Sequence, residues 1–223
     1  MTSAAYDSIA EWYDRSIREK ALLSADDLVA AAVWEAVGDV ADRLVCDLAC
    51  GQGDMARHLA RRGARVVGVD ISGKLLEIAR REEEAEPLGI RYHHADAQAL
   101  PSLGAEPFDG VLCNLALMDI PDLAATSAGI GRLLRPGGWL VVSLTHPCFQ
   151  TPPGRPYHEE GFWRSDNPNG VRGQVGAHHR TLGTYLNALA DAGLLVEHLA
   201  EPRLPNRPTP PVLVARCRKV ERD

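Results

Sequence analysis

The sequence has no long apolar run and no concentrated positive charge. No apolar stretch reaches the length that crosses a bilayer, and the N-terminus lacks the basic start and apolar core of a signal peptide. We therefore predict a cytoplasmic protein with no membrane partner. The formal net charge is −6, from 30 acidic and 24 basic residues. A nucleic-acid partner would need a basic surface, and none is indicated.

Cysteine is sparse and irregularly spaced. The odd number and uneven distribution argue against a disulfide framework, so we expect buried, reduced thiols. Cys46 and Cys50 could resemble half of a metal site, but no second ligand pair follows at a suitable spacing, and no metal is predicted. The five cysteines are Cys46, Cys50, Cys113, Cys148 and Cys217.

The length and the apolar content are sufficient for one sizeable core. With 223 residues, 45% of them hydrophobic, we predict a single domain over residues 1–223, as a monomer or homodimer. Residues 1–40 are predicted to form a helical cap. Residues 146–180 carry five prolines, five glycines and four of the eight histidines. This segment is too long for an ordinary connection, so we predict an ordered, substrate-side insertion.

Strand-like and helix-like patterns alternate along the chain. Parallel strands need crossover connections, which helices supply, so the alternation predicts an α/β fold with a doubly wound parallel sheet. The predicted strands are 43–48, 65–70, 90–93, 108–113, 139–144, 194–199 and 211–217, and the predicted helices are 5–19, 25–37, 53–62, 74–84, 123–134 and 181–192.

A glycine-rich turn follows the first strand. Gly51 and Gly53 fit the G-x-G-x-x-G/A dinucleotide pattern, and Asp70 follows at a suitable offset for a ribose, so an NAD(P)-dependent oxidoreductase is one interpretation. Asp47 lies just upstream, and a buried carboxylate needs a cationic partner. It suits the ammonium and sulfonium of S-adenosylmethionine better than a pyrophosphate. Asp96, after the third strand, could read an adenine amino group.

Five motifs in this order resemble the class I S-adenosylmethionine-dependent methyltransferases of the small-molecule type. They are residues 45–53, 67–72, 95–97, 108–114 and 133–140. The resemblance implies S-adenosylmethionine as cofactor, with S-adenosylhomocysteine as product. It also implies a seven-stranded sheet in the order 3-2-1-4-5-7-6, with the last strand antiparallel. Ala49 stands where the family usually has a glycine.

The resemblance also implies which residues hold the cofactor. Gly51 and Gly53 would approach its methionine part, with Asp47 near the amino group. Asp70 would bind the ribose hydroxyls, and Asp96 would meet the adenine. The full set of expected cofactor-binding residues is Tyr13, Asp47, Ala49, Gly51, Gly53, Asp70, Ile71, Asp96, Ala97, Asn114 and Leu115, of which Asn114 and Leu115 would lie beside the methyl group.

The acceptor side is predicted from the insertion and the N-terminal segment. A general base is needed only where the acceptor must lose a proton, and histidine suits that task near neutral pH. His146, after the fifth strand, and His179, at the end of the insertion, are the predicted catalytic residues. Tyr6 and Tyr13 share a helix face that could fold over the cofactor. The predicted substrate-binding residues are Tyr6, His146, Phe149, Tyr157, Trp163, His179, Arg180 and Tyr185.

The acceptor is predicted to be a small molecule, such as an intermediate of natural-product metabolism. The Asn/Asp-Pro-Pro-Tyr/Phe motif of many enzymes that methylate amino groups in nucleic acids and proteins is missing, because Asn114 is followed by Leu115 and Ala116. The methylated atom, whether oxygen, nitrogen or activated carbon, stays open. Two alternatives stay open as well: the nicotinamide-dependent oxidoreductase, and a non-catalytic module that binds S-adenosylmethionine and regulates a partner.

Overall fold

The computed structural model describes residues 5–19 and 27–220. The strands are β1 (Leu44–Leu48), β2 (Arg65–Asp70), β3 (Arg91–His94), β4 (Phe108–Asn114), β5 (Leu134–Thr145), β6 (Gly161–Trp163), β7 (Ala177–His179), β8 (Leu194–Ala200) and β9 (Val212–Lys219). The main sheet has seven of these strands in the order β3-β2-β1-β4-β5-β9-β8, and β9 is antiparallel to both of its neighbours. The short strands β6 and β7 form a separate antiparallel pair. Without that pair the order is 3-2-1-4-5-7-6, so the predicted topology is confirmed.

Helices connect the parallel strands, and polar caps fix where several of them begin. The Ser72 side chain accepts a hydrogen bond from the Leu75 N–H at 3.1 Å, and Asp122 accepts one from the Ala125 N–H at 2.8 Å. The helices are α1 (Ala10–Glu19), α2 (Leu28–Val37), α3 (Asp54–Arg61), α4 (Gly73–Ala85), α5 (Leu123–Leu133), α6 (Val171–Gln174) and α7 (Leu182–Asp191), with 3-10 turns at Ala5–Ile9, Ala97–Ala99 and Leu117–Asp119.

The core covers both faces of the sheet. Every residue of β1 is buried, because helices cover the central parallel strands on both faces. Two apolar clusters lie on the two sides, one including Leu48 and Leu140, the other Val45 and Leu59. Within residues 5–19 and 27–220, no helix is both long and apolar enough to span a bilayer.

Two predicted elements differ from the structure. The fifth strand was predicted to begin at Trp139, but β5 begins at Leu134, which pairs with Phe108 before the register shifts between Phe108 and Gly110. A bulge thus lets the strand continue through a segment that contains proline and two glycines. The second helix was predicted from residue 25; residues 25 and 26 lie outside the described part, and α2 begins at Leu28.

The predicted insertion contains β6, α6 and β7. Its two strands are joined in register from Gly161↔His179 to Trp163↔Ala177. Gly176, just before β7, has a φ of 75°, and a Cβ at this position would lie 2.3 Å from the Phe162 ring. Only glycine allows this close approach, so the sequence itself sets how the segment folds back on the hairpin.

Candidate active site

A cavity of about 410 Å³, here called the first cavity, lies at the carboxyl ends of β1, β2 and β4. This volume is in the usual range for small-molecule sites. The strand ends and the turns after them supply one side, including Ala49, Gly51, Asp70, Ile71, Asp96, Asn114 and Leu115. The N-terminal segment and the insertion supply the other side, including Tyr6, Tyr13, Phe162, Arg164 and His178. An adjoining cavity of about 90 Å³ shares Asp70 and Asp96 and extends to Ala97.

The two glycines of the turn after β1 have different surroundings. Gly51, with φ of 57°, lines the first cavity, and a Cβ added to it would meet only one atom within 4 Å, the Leu75 Cδ1. Gly53, with φ of 90°, lines neither that cavity nor the adjoining one, and its Cβ would lie 2.5 Å from the Tyr92 hydroxyl. Gly51 therefore leaves space for a ligand, whereas Gly53 allows α3 to pack against β3. The predicted approach of Gly53 to the cofactor stays a prediction.

Ala49 adopts a backbone conformation that glycine would adopt without strain. Its φ is 57°, in the left-handed region. That region costs a residue with a Cβ about 1–2 kcal/mol, of which the greater backbone entropy of glycine would offset part. We expect Ala49→Gly to raise the free energy of unfolding by about 0.5–1 kcal/mol, measured by urea denaturation. Ala116→Gly, at a φ of −122°, is the control and should lower it. A loss of stability in Ala49→Gly would contradict the account.

Asp47 is enclosed behind the glycine turn. The side chain is 1% exposed, lies on neither cavity wall described above, and its Oδ2 has no hydrogen-bond partner in the described part of the chain. Burial, followed by the negative charge of Asp70, raises the pKa of Asp47 to about 8. The predicted role beside the cofactor's amino group stays a prediction. A cation bound on the other side of the turn would favour the ionised form of this carboxyl group.

The raised pKa of Asp47 makes the stability depend on pH. Between about pH 4 and pH 8 the folded state keeps a proton that the unfolded chain has released, so the free energy of unfolding falls as pH rises through that window. The contribution is on the order of 1.4 kcal/mol per pH unit at most. We expect urea denaturation at pH 5 and pH 8 to show a smaller fall for Asp47→Asn than for the natural protein. Equal falls in the two proteins would contradict this assignment.

Asp70 connects the glycine turn to the end of β2. Its Oδ2 accepts a hydrogen bond from the Gly51 N–H at 2.8 Å, and its Oδ1 accepts one from the Ser72 N–H at 2.7 Å. Burial raises the pKa of the carboxyl group. A carboxylate has about four acceptor sites, and Asp70 lines the first cavity, so a hydroxyl donor could still bind here.

The segment after β4 is held by Ser143 of β5. The Ser143 hydroxyl donates to the Asn114 Oδ1 at 2.6 Å, and the Leu115 N–H donates to the Ser143 Oγ at 2.9 Å. Leu115 has a φ of 51°, a strained value for leucine. Both residues line the first cavity, as expected of residues that hold a ligand group in place.

Asp119 connects the N-terminal segment and the insertion, which are the two covers of the first cavity. This residue was not predicted from the sequence. The Tyr6 hydroxyl donates to its Oδ2 at 2.9 Å, and the Arg172 guanidinium forms an ion pair with its Oδ1. Tyr6 belongs to the N-terminal segment and Arg172 to α6 of the insertion. The signal in the sequence was an acid within the apolar stretch after β4, where a carboxylate needs a partner.

The predicted catalytic histidines are engaged within the fold. His146 is 1% exposed and does not line the first cavity. Its Nδ1 accepts from the Cys148 N–H at 3.2 Å, and its Nε2 lies 2.8 Å from Glu201 Oε1. The Nε2 of His179 lies 2.8 Å from the Tyr157 carbonyl oxygen. A role of His146 as base would require its hydrogen bonds to open; both catalytic assignments stay predictions.

A second cavity of about 320 Å³ lies between β5, the insertion and α7. Five of the predicted substrate-binding residues line it: Phe149, Trp163, His179, Arg180 and Tyr185. Tyr157 does not, because its hydroxyl accepts the Leu182 N–H at 2.7 Å and so holds the start of α7. Ala177 and His178 line both the first and the second cavity, and the two cavities therefore share a wall.

His178 is the histidine that lies on both cavities. In the described part of the chain its ring nitrogens make no hydrogen bond, and the ring packs edge-on against Phe162 at 5.3 Å between centroids. Burial, and then the charge of Arg180, lowers the pKa of its imidazole below the ordinary value. The imidazole is therefore neutral at pH 7 and able to accept a proton.

The fold is found in a solved structure of another protein. The chain is 31% identical to an S-adenosylmethionine-dependent methyltransferase from Mesorhizobium loti, with a TM-score of 0.73, covering 86% of this chain and 98% of that one. The chain belongs to the S-adenosylmethionine-dependent methyltransferases. Residues 46–142 match a family model described as a methyltransferase domain. Family membership favours the methyl donor over the nicotinamide interpretation of the glycine turn.

Two curated relatives match this methyltransferase over part of their length. One is the ubiquinone biosynthesis O-methyltransferase of Aromatoleum aromaticum, 33% identical over 139 residues, which are 62% of this chain. The other is the demethylmenaquinone methyltransferase of Clavibacter sepedonicus, 35% identical over 153 residues, which are 68% of this chain. In each case the match covers 59% of the relative.

The residues present fit the family's methyl donor. The carboxylate of Asp70 could still accept a ribose hydroxyl, and the space beside Gly51 is open. The Oδ2 of Asp47 has no hydrogen-bond partner in the described part of the chain, and a cationic group of the donor bound nearby would favour ionisation of this carboxyl group. Among the described residues, no group of three or more His, Cys, Asp or Glu side chains could hold a metal ion.

Proposed function

We propose that this protein transfers the methyl group of S-adenosylmethionine to a small-molecule acceptor. The observation that carries the proposal is the wall formed by Ala177 and His178, which the first and second cavities share. A donor in the first cavity and an acceptor in the second would meet there. The two relatives are named for ubiquinone biosynthesis and for demethylmenaquinone, which supports a small acceptor that contains a ring.

In this proposal the strand-end residues hold the donor. Asp70 binds the ribose hydroxyls, Asp96 the adenine, and Asn114 lies beside the methyl group. The bound sulfonium supplies an activated methyl group, so the protein contributes mainly alignment and exclusion of water. Tyr6, Tyr13 and Phe162 line the covering side of the first cavity and exclude water from the donor. The full cofactor-binding set that we propose from the structure is Tyr13, Ala49, Gly51, Asp70, Ile71, Asp96, Ala97, Asn114 and Leu115.

Calorimetry tests the identity of the donor. We expect S-adenosylmethionine and S-adenosylhomocysteine to bind, with no binding of NAD or NADP. Binding of a nicotinamide cofactor alone would overturn the proposal in favour of an oxidoreductase. Incubation with methyl-labelled donor and a metabolite extract then tests catalysis. Tight donor binding with no labelled product would favour a non-catalytic module.

His178 is our candidate for the general base. For an acceptor that must lose a proton, we expect His178→Ala to lower kcat about 100-fold or more and to leave the affinity for S-adenosylhomocysteine unchanged. The activity of the natural protein should fall as pH falls through the lowered pKa of His178, below about 6.5, because the base is then protonated. The remaining activity of His178→Ala should not fall in this pH range.

The exposed His158 provides a matched control, since it lines neither cavity. His158→Ala should leave kcat unchanged. His146→Ala in the same assay tests the assignment made from the sequence. A large loss of kcat in His146→Ala, together with a normal pH profile in His178→Ala, would return the role of base to His146.

A further inference from the structure

The second cavity differs in charge from the molecule as a whole. The chain has a formal net charge of −6, yet no Asp or Glu is among the described residues that line this cavity. Its basic lining residues are Arg172, His178, His179 and Arg180. The first cavity is lined by three aspartates, Asp70, Asp96 and Asp119, against Arg164 and His178. The two cavities therefore suit ligand groups of opposite charge.

Arg180 supplies the net positive charge of the second cavity. It is 8% exposed and lies beside the Tyr185 side chain, and its guanidinium donates to three carbonyl oxygens. These are the carbonyls of Leu117 at 3.1 Å, Ile120 at 2.7 Å and Pro121 at 2.6 Å. Carbonyl oxygens orient a guanidinium but carry no net charge. Arg172, in contrast, forms an ion pair with Asp119, so its charge is largely balanced.

Two glutamates, Glu160 and Glu201, form hydrogen bonds with other residues and not with Arg180. Glu160 accepts the Thr181 N–H at 2.7 Å and a hydrogen bond from the Thr184 hydroxyl, and it is exposed. Glu201 pairs with the Nε2 of His146. Neither glutamate lines the second cavity. Glu160 interacts electrostatically with Arg180 but does so from outside the cavity. A buried cation is costly unless an opposite charge lies beside it, and an anion bound in the cavity would supply that charge directly.

The remaining walls of the second cavity are apolar and aromatic. Phe149, Trp163 and Tyr185 line it together with Met118. The guanidinium of Arg180 lies 5.8 Å from the centre of the Tyr185 ring. Flat apolar walls beside a cation suit a ring that carries a negative group, because the ring buries apolar surface while the cation binds its charge.

We propose that the second cavity binds the anionic group of an aromatic acceptor, so that the preferred substrate is an aromatic carboxylate. This rests on the proposed methyl transfer. Arg180 binds the carboxylate, and the aromatic walls hold the ring. The atom to be methylated extends past Ala177 and His178 into the first cavity. A phosphate would meet the same cation, and the test separates the two anions.

The probes are 4-hydroxybenzoate, its neutral analogue 4-hydroxybenzamide, and phenyl phosphate, titrated calorimetrically into protein saturated with S-adenosylhomocysteine. We expect the carboxylate to bind at least about tenfold more tightly than the amide, since a charge-assisted hydrogen bond is stronger than a neutral one. It should also bind more tightly than phenyl phosphate. A preference for phenyl phosphate would overturn the carboxylate assignment.

Gln150→Glu tests the place of binding. Gln150 lines the second cavity and its side chain makes no hydrogen bond within the described residues, so the substitution adds a negative charge at nearly constant shape. We expect about tenfold weaker binding of 4-hydroxybenzoate, with unchanged binding of 4-hydroxybenzamide and S-adenosylhomocysteine. Asn206→Asp, at an exposed position that lines neither cavity, makes the same change in net charge and should have no effect.

The outcomes separate this inference from the proposed function. If S-adenosylhomocysteine does not bind, the proposed function fails. If it binds, but the amide binds as well as the carboxylate, or neither probe binds, the inference about the anion is overturned while the donor site stands. A preference for the carboxylate that Gln150→Glu leaves unchanged would place the anion outside the second cavity and would also overturn the inference.

Discussion

Replacement of Asp70 with alanine is expected to weaken the binding of S-adenosylhomocysteine by about 10- to 100-fold. The change removes the carboxylate that we propose for the ribose hydroxyls, and hydrogen bonds to a charged group contribute about 1.5–3 kcal/mol. The change also removes the acceptor of the 2.8 Å hydrogen bond from the Gly51 N–H, and this bond holds the glycine turn in place. Calorimetric titration measures the loss directly.

Asp70→Asn separates these two contributions. Asparagine keeps one acceptor oxygen at nearly the same shape. We therefore expect the affinity of Asp70→Asn for S-adenosylhomocysteine to lie between those of the natural protein and Asp70→Ala. Asp122→Ala is the control for loss of a surface carboxylate that caps a helix, because Asp122 lines neither cavity. Unchanged affinity in Asp70→Ala, with the protein still folded, would remove Asp70 from the donor site.

Replacement of Asp119 with asparagine is expected to raise the Kd of S-adenosylhomocysteine about tenfold or more. Asp119 accepts from Tyr6 and pairs with Arg172, so its carboxylate holds both covers of the first cavity in place. Asparagine keeps the shape but removes the charge that partners Arg172. Each side chain of the pair retains about a fifth of its exposure, so we expect only about 1–2 kcal/mol of lost stability.

A double-mutant cycle tests whether Asp119 couples the two covers. Tyr6→Phe removes only the hydroxyl, and Arg172→Gln removes only the insertion's charge. If Asp119 links them, the effects of these changes on donor affinity should be non-additive by about 0.5 kcal/mol or more. Strictly additive effects, or an Asp119→Asn variant that binds the product normally, would contradict the link.

The fold could be predicted because local patterns carry it. Buried parallel strands need continuous apolar residues, and the glycines and caps between them indicate where helices begin. The strand-end acids could also be placed, because the carboxyl ends of parallel strands meet at one edge of the sheet. Asp70 and Asp96 were expected at this edge from the sequence, and Asn114 from the resemblance; all three line the first cavity, and their roles in binding stay predictions.

The acceptor side could not be predicted to the same depth because it depends on contacts between distant segments. His146 is engaged by Glu201, 55 residues later, and Asp119 by Tyr6, 113 residues earlier. No local pattern shows such contacts. Of the adjacent pair His178 and His179, the sequence analysis selected His179, but His178 is the one that lines both cavities.

The most direct test of the account is a crystal structure with S-adenosylhomocysteine bound. We predict that the ribose hydroxyls contact Asp70 and that the sulfur, which marks where the methyl group would be, faces Asn114 and the wall of Ala177 and His178. Product bound away from Asp70, or with its sulfur directed away from the wall that the two cavities share, would contradict the account.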